Sequence, residues 1–307
     1  MASQKDIKSR ISSVKNIRKI TRAMEMVAAA RLRRAEQRIE ELRPYAEAIR
    51  RMTRRAVEAA EKIPNLPLLE EHDPIDRVGL LLVTGDRGLA GAFNSQIIRA
   101  GNARNRELQQ DNLEARWYAS GRRGVSSIQF RGLELAGGYT GFTDRPAYAD
   151  ARNIADDLIA HYVDGEVDRV EMLYNGYVSP MTQEVRHETL LPLQQADVLG
   201  DEDSEEGEDS EGESSEGPDH GRALWIYEPG PEEILERLAP DYVEISVYRA
   251  LLESTASEHG ARMTAMRNAS ENAAELIDTL TLEANRQRQA EITQEIMEVV
   301  AGAEGLR

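Results

Sequence analysis

Gly85, Gly88 and Gly91 are the residues best placed for chemistry in this chain. They follow the apolar run at residues 78–84 and precede a stretch of helical periodicity at residues 92–108. Backbone N–H groups in such a strand-to-helix turn can cradle a phosphate, because no Cβ blocks the approach and the helix N-terminus is electropositive. The spacing in this chain, however, is GxxGxxG. A dinucleotide fingerprint is GxGxxG, and a P-loop ends in Gly-Lys-Ser/Thr, which is missing. A tight turn accounts for the same glycines without a ligand, and Asp86 and Arg87 then pair with neighbours or cap the helix.

The remaining polar residues form no recognisable catalytic or metal pattern. His72, His161, His187, His220 and His259 are scattered without ligand spacing. No nucleophile elbow occurs, and no acid pair stands out from the many carboxylates. The chain has no cysteine, which excludes disulfides, thiolate metal sites and thiol redox control. No cofactor is expected, and an enzyme reading rests on the glycine turn alone.

Charge is placed unevenly. The formal net charge is −17, yet residues 197–219 hold twelve acidic side chains and no basic one. Residues 1–60 instead carry sixteen Lys or Arg against seven Asp or Glu, so this segment wants an acidic partner. Nucleic acid is not indicated, since the basic residues are spread around a helix and Tyr45 is the one aromatic available for stacking. The acidic tract cannot bury enough apolar surface to offset its ordering entropy, so residues 200–221 are expected to be a disordered loop. Strand-like runs at 182–193 and 223–227 flank it. They are expected to pair as a hairpin around the tract, because closing a long loop costs only logarithmically more than closing a short one.

Three parts would hold these residues. With 307 residues, 40% apolar content and 5% aromatic content, the chain suits one ordinary core and an extension. Residues 1–60 read as a helix. Stepping by seven gives Ile7, Val14, Thr21, Ala28, Ala35, Leu42, Ile49 and Ala56, with a second row of Ile11, Leu32, Ile39 and Ala46 interrupted by Arg18 and Glu25. Pro44 removes a backbone donor and predicts a kink or break near Leu42 or Arg43. Residues 241–302 read as a second helix, started by Pro240 and Asp241 and stopped by Gly302, with Gly260 as its one interior glycine before that stop. Its apolar positions are Ile245, Leu252, Met266, Ala273, Ile277, Leu280 and Ala284. At 1.5 Å per residue it would span roughly 90 Å, far more than a compact domain needs. The two are expected to pair as a long antiparallel coiled coil. Between them, residues 76–228 alternate strands (78–84, 116–120, 169–174) with helices (92–108, 147–162), a small Rossmann-like α/β domain. The longest strongly apolar stretch, 78–83, is too short to cross a bilayer, and residues 1–10 are charged, so neither a spanning helix nor a secretory leader is expected.

Specific motifs add to this picture. ISSVKNIRKITRAMEMVAAA at residues 11–30 and RPYAEAIR at 43–50 closely resemble the opening of the gamma subunit of bacterial F-type ATP synthases. TGDRGLAGAFN at 84–94 resembles that family's acidic-arginine-glycine turn. ASEHGARMTAMRNASENA at 256–273 and NRQRQAEITQEIMEVVAGA at 285–303 resemble its closing helix, so the likeness spans nearly all of the chain except the acidic tract.

The resemblance implies a non-catalytic rotor. In that family the terminal helices form a shaft inside a ring of alternating alpha and beta subunits, while the α/β domain sits on the c-subunit ring beside the epsilon subunit, at the cytoplasmic face of the bacterial membrane. Proton flow turns the ring, and the asymmetric shaft cycles the beta subunits through nucleotide binding and release. Met24 and Arg262 then match positions near an acidic lever of a beta subunit. Arg288, Gln289 and Thr293 match beta-subunit contacts. Ile292, Ile296, Met297, Val299 and Val300, with Ala301 and Gly302, suit a sliding bearing tip, and Tyr227 and Glu228 match the side facing the c ring. Ordinary helix packing is the plainer account of each. Photosynthetic relatives carry a cysteine switch where this chain has the acidic tract, which is expected to act as an electrostatic brake or spacer near the c ring or epsilon, or simply to aid solubility. A Rossmann-like nucleotide-binding enzyme and a free-standing coiled-coil adaptor are the alternatives.

Overall fold

A computed structural model describes residues 4–59, 67–193 and 230–304. Helix α1 (Gln4–Ala59) and helix α5 (Pro231–Glu304) lie antiparallel. Ile7 packs on Leu280 and Ala284, Leu32 and Ala35 pack on Ala256, and Ile49 packs on Leu238 and Ile245. Position along one helix therefore falls as position along the other rises. The seam is the one the heptad spacing marks: Ile7, Thr21, Ala28, Ala35 and Ile49 are buried on α1, and Ile245, Leu252, Met266, Ala273, Ile277, Leu280 and Ala284 on α5. Small residues (Thr21, Ala28, Ala35, Ala273 and Ala284) alternate in it with large apolar ones, which lets the two backbones approach closely at the small positions.

Two boundaries differ from the sequence expectations. Helix α1 continues through Pro44, so the helix does not break there. Packing of Ala46 and Ile49 against Leu238 just beyond the proline offsets the lost donor and keeps these turns helical. Helix α5 begins at Pro231, ten residues before the expected start, and Pro240 lies inside it. A proline in the first turn forfeits no hydrogen bond, which makes Pro231 the better start. The turns before Pro240 are worth keeping helical because Leu235, Leu238 and Ala239 are buried there.

Between the helices lies a five-stranded sheet of order β3-β2-β1-β4-β5. Strands β1 (Arg77–Val83), β2 (Glu114–Ser120), β3 (Leu135–Tyr139) and β4 (Arg169–Tyr177) are parallel, and β5 (Gln183–Leu191) runs antiparallel to β4. Helices α2 (Phe93–Gln110), α3 (Arg122–Phe130) and α4 (Tyr148–Val163) make the crossovers. Both faces of β1 are apolar, as a doubly covered strand requires. Val78, Leu80 and Leu82 join Ile97 and Leu108 of α2 and Ile128 of α3, while Leu81 and Val83 join Ile154 and Leu158 of α4 and Val243 and Val247 of α5. Helix α3 and strand β3 are additions to the sequence reading; β3, LAGGY, carries two glycines that mute its strand signal. The expected hairpin partner at 223–227 and the tract at 200–221 lie outside the described residues.

Candidate functional site

The glycine turn sits where α/β sheets bind ligands, beyond the carboxyl end of β1 at the point where strand order reverses between β1 and β4. In this chain the protein fills that crevice itself. The Gly85 N–H donates to Asn94 Oδ1 at 2.8 Å and the Asp86 N–H to Thr143 Oγ1 at 2.9 Å. The Asp86 carboxylate accepts from the N–H groups of Arg122 (3.0 Å), Gly141 (2.9 Å) and Thr143 (3.3 Å) and from the Thr143 hydroxyl (3.0 Å). Asp86 thus stands where a phosphate would be held, tying together the loops after β1, β2 and β3. Arg87 pairs with Asp144 at 3.4 Å, so neither residue caps α2.

Helix α5 closes the rest. A Cβ at Gly85 would lie 2.7 Å from Glu258 Oε2, so the glycine leaves room for the carboxylate that α5 places there, and no ligand is required to explain it. Along residues 251–260 α5 is buried all round, wedged between α1 and the ends of the strands. Several of its polar groups there bond the sheet domain: Thr255 Oγ1 donates to the Thr143 carbonyl (3.0 Å), Ser257 Oγ to the Asn175 carbonyl (3.1 Å), and Glu253 accepts from Arg186 (3.0 Å). Gly260 is glycine because a Cβ would meet the Pro180 carbonyl oxygen at 2.9 Å. From the α1 side, Arg31 pairs with Asp144 and Glu36 accepts from the Tyr177 hydroxyl. These contacts tie the sheet domain to both long helices.

Met24 and Arg262 come together on an open groove of about 640 Å³ between α1, the glycine turn and α5. Ile20, Val27 and Leu89 line it as exposed apolar side chains, with Arg123 at the rim. Arg262 itself is nearly buried. It holds the Glu258 carboxylate, donates to the Gly88 carbonyl (3.3 Å) and lies 3.3 Å from His259 Nδ1. Burial, with Arg262 alongside, lowers the His259 pKa to about 4, which keeps the ring neutral near pH 7. Ile20, Val27 and Leu89 were missing from the sequence reading. The legible signal was a second apolar stripe, Ile17, Ile20, Met24 and Val27, offset from the heptad seam.

Arg288, Gln289 and Thr293 lie far from this groove, on the last turns of α5, all exposed. The Thr293 hydroxyl donates to the Gln289 carbonyl (2.9 Å). Because Ile7 faces Leu280 and Ala284, the start of α1 at Gln4 falls near residue 287, and beyond it α5 has no neighbour among the described residues for roughly 25 Å. On that overhang Ile292, Ile296, Met297 and Val299 are exposed. Val300 lies within the same helix; Tyr227 and Glu228 lie outside the described residues.

Among the described residues no cluster of His, Asp and Glu has the arrangement of a metal site, and no helix is long and apolar enough to cross a membrane. His72 stacks on Tyr162 (4.5 Å) and His187 bonds the buried Glu171 (2.8 Å); His220 lies outside the described residues.

A family model described as ATP synthase matches residues 3–306. The ATP synthase gamma chain of Rubrobacter xylanophilus is 44% identical over 306 residues, covering 100% of this chain and 99% of the relative. This chain belongs to the ATP synthase gamma family. The gamma chain of Moorella thermoacetica is 41% identical, with 100% of both chains covered. Among solved structures, a chain in the central stalk and c-ring of Tetrahymena thermophila mitochondrial ATP synthase matches with a TM-score of 0.58 and 25% identity, covering 82% of this gamma chain and 99% of that one. A chain of the Euglena gracilis mitochondrial enzyme has the same fold, with a TM-score of 0.64 at 16% identity over 99% and 94% of the two chains. The fold is thus that of a central-stalk subunit of ATP synthase.

Proposed function

We propose that this gamma chain is the rotating shaft of an F-type ATP synthase and performs no bond chemistry of its own. The paired α1 and α5 enter a ring of alternating alpha and beta subunits, while the sheet domain stands on the c ring beside epsilon, at the cytoplasmic face of the membrane. Contact with the membrane is through the complex only. Proton-driven rotation of the c ring turns the shaft, and its asymmetric surface drives each beta subunit in turn through binding, synthesis and release. The same coupling in reverse converts hydrolysis into rotation.

The observation that carries this reading is the overhang of α5. A solitary helix with four large apolar side chains in solvent is unfavourable unless something surrounds it. A ring-shaped sleeve does so without interlocking, provided the shaft offers a smooth apolar surface with few polar catches, a role that falls to Arg288, Gln289 and Thr293. The groove holding Met24 and Arg262 is the second contact, apolar in its floor and cationic at its rim, suited to an acidic, partly apolar lever of a beta subunit. The occupied glycine turn argues against the nucleotide-binding alternative. Affinity purification of the tagged full chain from its native cell is the test. Recovery with alpha, beta, epsilon and c subunits supports the reading; recovery of the chain alone, or titratable nucleotide binding by the isolated chain, contradicts it.

A further inference from the structure

Arg99 and Arg106 on α2 and Arg131 at the end of α3 line a shallow groove of about 660 Å³ on the outer face of the sheet domain. All three are exposed. Among the described residues, no hydrogen bond or ion pair joins the side chain of Arg99 or Arg131 to another group, and the Arg106 side chain donates to the Asn102 carbonyl of its own helix (3.3 Å). Ser95, Asn102 and Asn105 add neutral polar groups, and no carboxylate lines the groove. The nearest acidic residue of α2, Glu107, is turned to Arg104 (2.9 Å). Three unneutralised guanidinium groups along one cleft form an acceptor for a polyanionic peptide, since each can grip a carboxylate through its planar fork.

The chain supplies such a peptide. Its residues 197–219 contain twelve carboxylates and no base, and they belong to a 36-residue span, 194–229, outside the described residues. The span leaves from Leu193, whose N–H donates to the Leu68 carbonyl, just past the end of the antiparallel β5. Leu191 pairs with Val170 at the start of β4, so Leu193 lies at the pole where the parallel strands begin. Helices α2 and α3 also end at that pole, because each returns there to start the next strand. Arg106 and Arg131 are therefore the groove residues closest to it. Crossing the sheet from β5 toward β2 takes about 15 Å at the usual strand spacing, well within the roughly 60 Å that 36 residues can reach out and back.

We infer that the acidic tract docks on this groove, an electrostatic strap within the gamma chain itself. The lower turns of α1 also carry arginines, but these alternate with Glu40, Glu41, Glu47 and Glu58, which makes them the poorer acceptor. Tethering keeps the tract at high effective concentration, so several weak pairs suffice. The strap is sensitive to salt because its charges are exposed. The inference stands on the groove and the tract alone and does not depend on the rotor reading.

The absence of cysteine makes the test direct. Ser210→Cys and Gln109→Cys, spin-labelled in the full chain within the purified complex, report the tract-to-groove distance. A narrow, short distance is expected at about 0.01 M salt, where the Debye length is about 30 Å, and its loss at about 1 M, where the length is about 3 Å. The triple variant Arg99→Glu, Arg106→Glu, Arg131→Glu should show the same loss, and deleting residues 201–218 should raise amide exchange along the groove side of α2 several-fold. A broad distribution at low salt, or a short distance that survives charge reversal, would overturn the inference. So would unchanged exchange after the deletion, or a short distance to a label at Arg51→Cys on α1 in place of the groove.

Discussion

Arg262 clasps Glu258, one turn before it in α5, and reaches the Gly88 carbonyl oxygen at 3.3 Å. This fastens the long helix to the turn after β1 in the place where a related fold would hold a phosphate. Replacing Arg262 with Leu strands Glu258, which is 2% exposed, without its charge partner. A loss of about 3–5 kcal/mol is expected, with part recovered when Glu258→Gln is added. Chemical denaturation of the single and double variants measures it, and a single variant within about 0.5 kcal/mol of the parent would show that the clasp bears little.

Acidification should weaken the same junction through His259. Its folded pKa, lowered to about 4 by burial and by Arg262 against the opposing pull of Asp144, lies below the ordinary value of 6.5. Between those values the unfolded chain binds the extra proton, so stability rises with pH through the window. The His259 contribution is complete above about 6.5 and is lost as pH falls to about 4, roughly 3 kcal/mol in all. Burial raises the Glu258 carboxylate, whose effect on the slope has the opposite sign and is common to parent and variant. Subtracting the stability profile of His259→Gln from that of the parent should leave a rise between pH 4 and 6.5; a flat difference would contradict it.

The seam predicts a contrast between two leucines. Leu32 is 3% exposed and packs with Ala35, Ala256 and Met263, whereas Leu282 is 61% exposed. Leu32→Ala should cost about 2–5 kcal/mol and Leu282→Ala less than about 0.5, read as shifts in the unfolding midpoint.

These contrasts were legible where periodicity alone decides burial. Ile7, Thr21, Ala28 and Ile49 repeat every seven residues, and that spacing places them on one side of a helix whatever lies opposite. The start of α5 was not legible, because Pro240 reads as a boundary to local rules and only the burial of Leu235 and Leu238 against distant residues keeps the earlier turns helical. Strand β3 was obscured by Gly137 and Gly138, which are small because Tyr118 and Leu135 side chains press on them. The groove at Met24 needed three dimensions, since Leu89 and Arg262 come from segments remote from α1. Asp86 in the glycine turn was visible as a residue, but its occupation of the anion position depends on loops from three strands.

Met24→Lys adds a cation to a groove already edged by Arg31, Arg87, Arg123 and Arg262. The lysine should grip an acidic lever too tightly, lowering proton pumping per ATP hydrolysed while hydrolysis continues. Parallel assays of ATPase rate and acidification of reconstituted vesicles measure the ratio. An unchanged ratio would remove the groove from the coupling path.

The shaft account is tested most directly by watching the chain turn. With the alpha and beta subunits fixed to a surface and a bead attached through Phe130→Cys, an exposed position remote from the seam, ATP should drive sustained rotation in one direction. A stationary bead on complexes that hydrolyse ATP at the full rate would contradict the account.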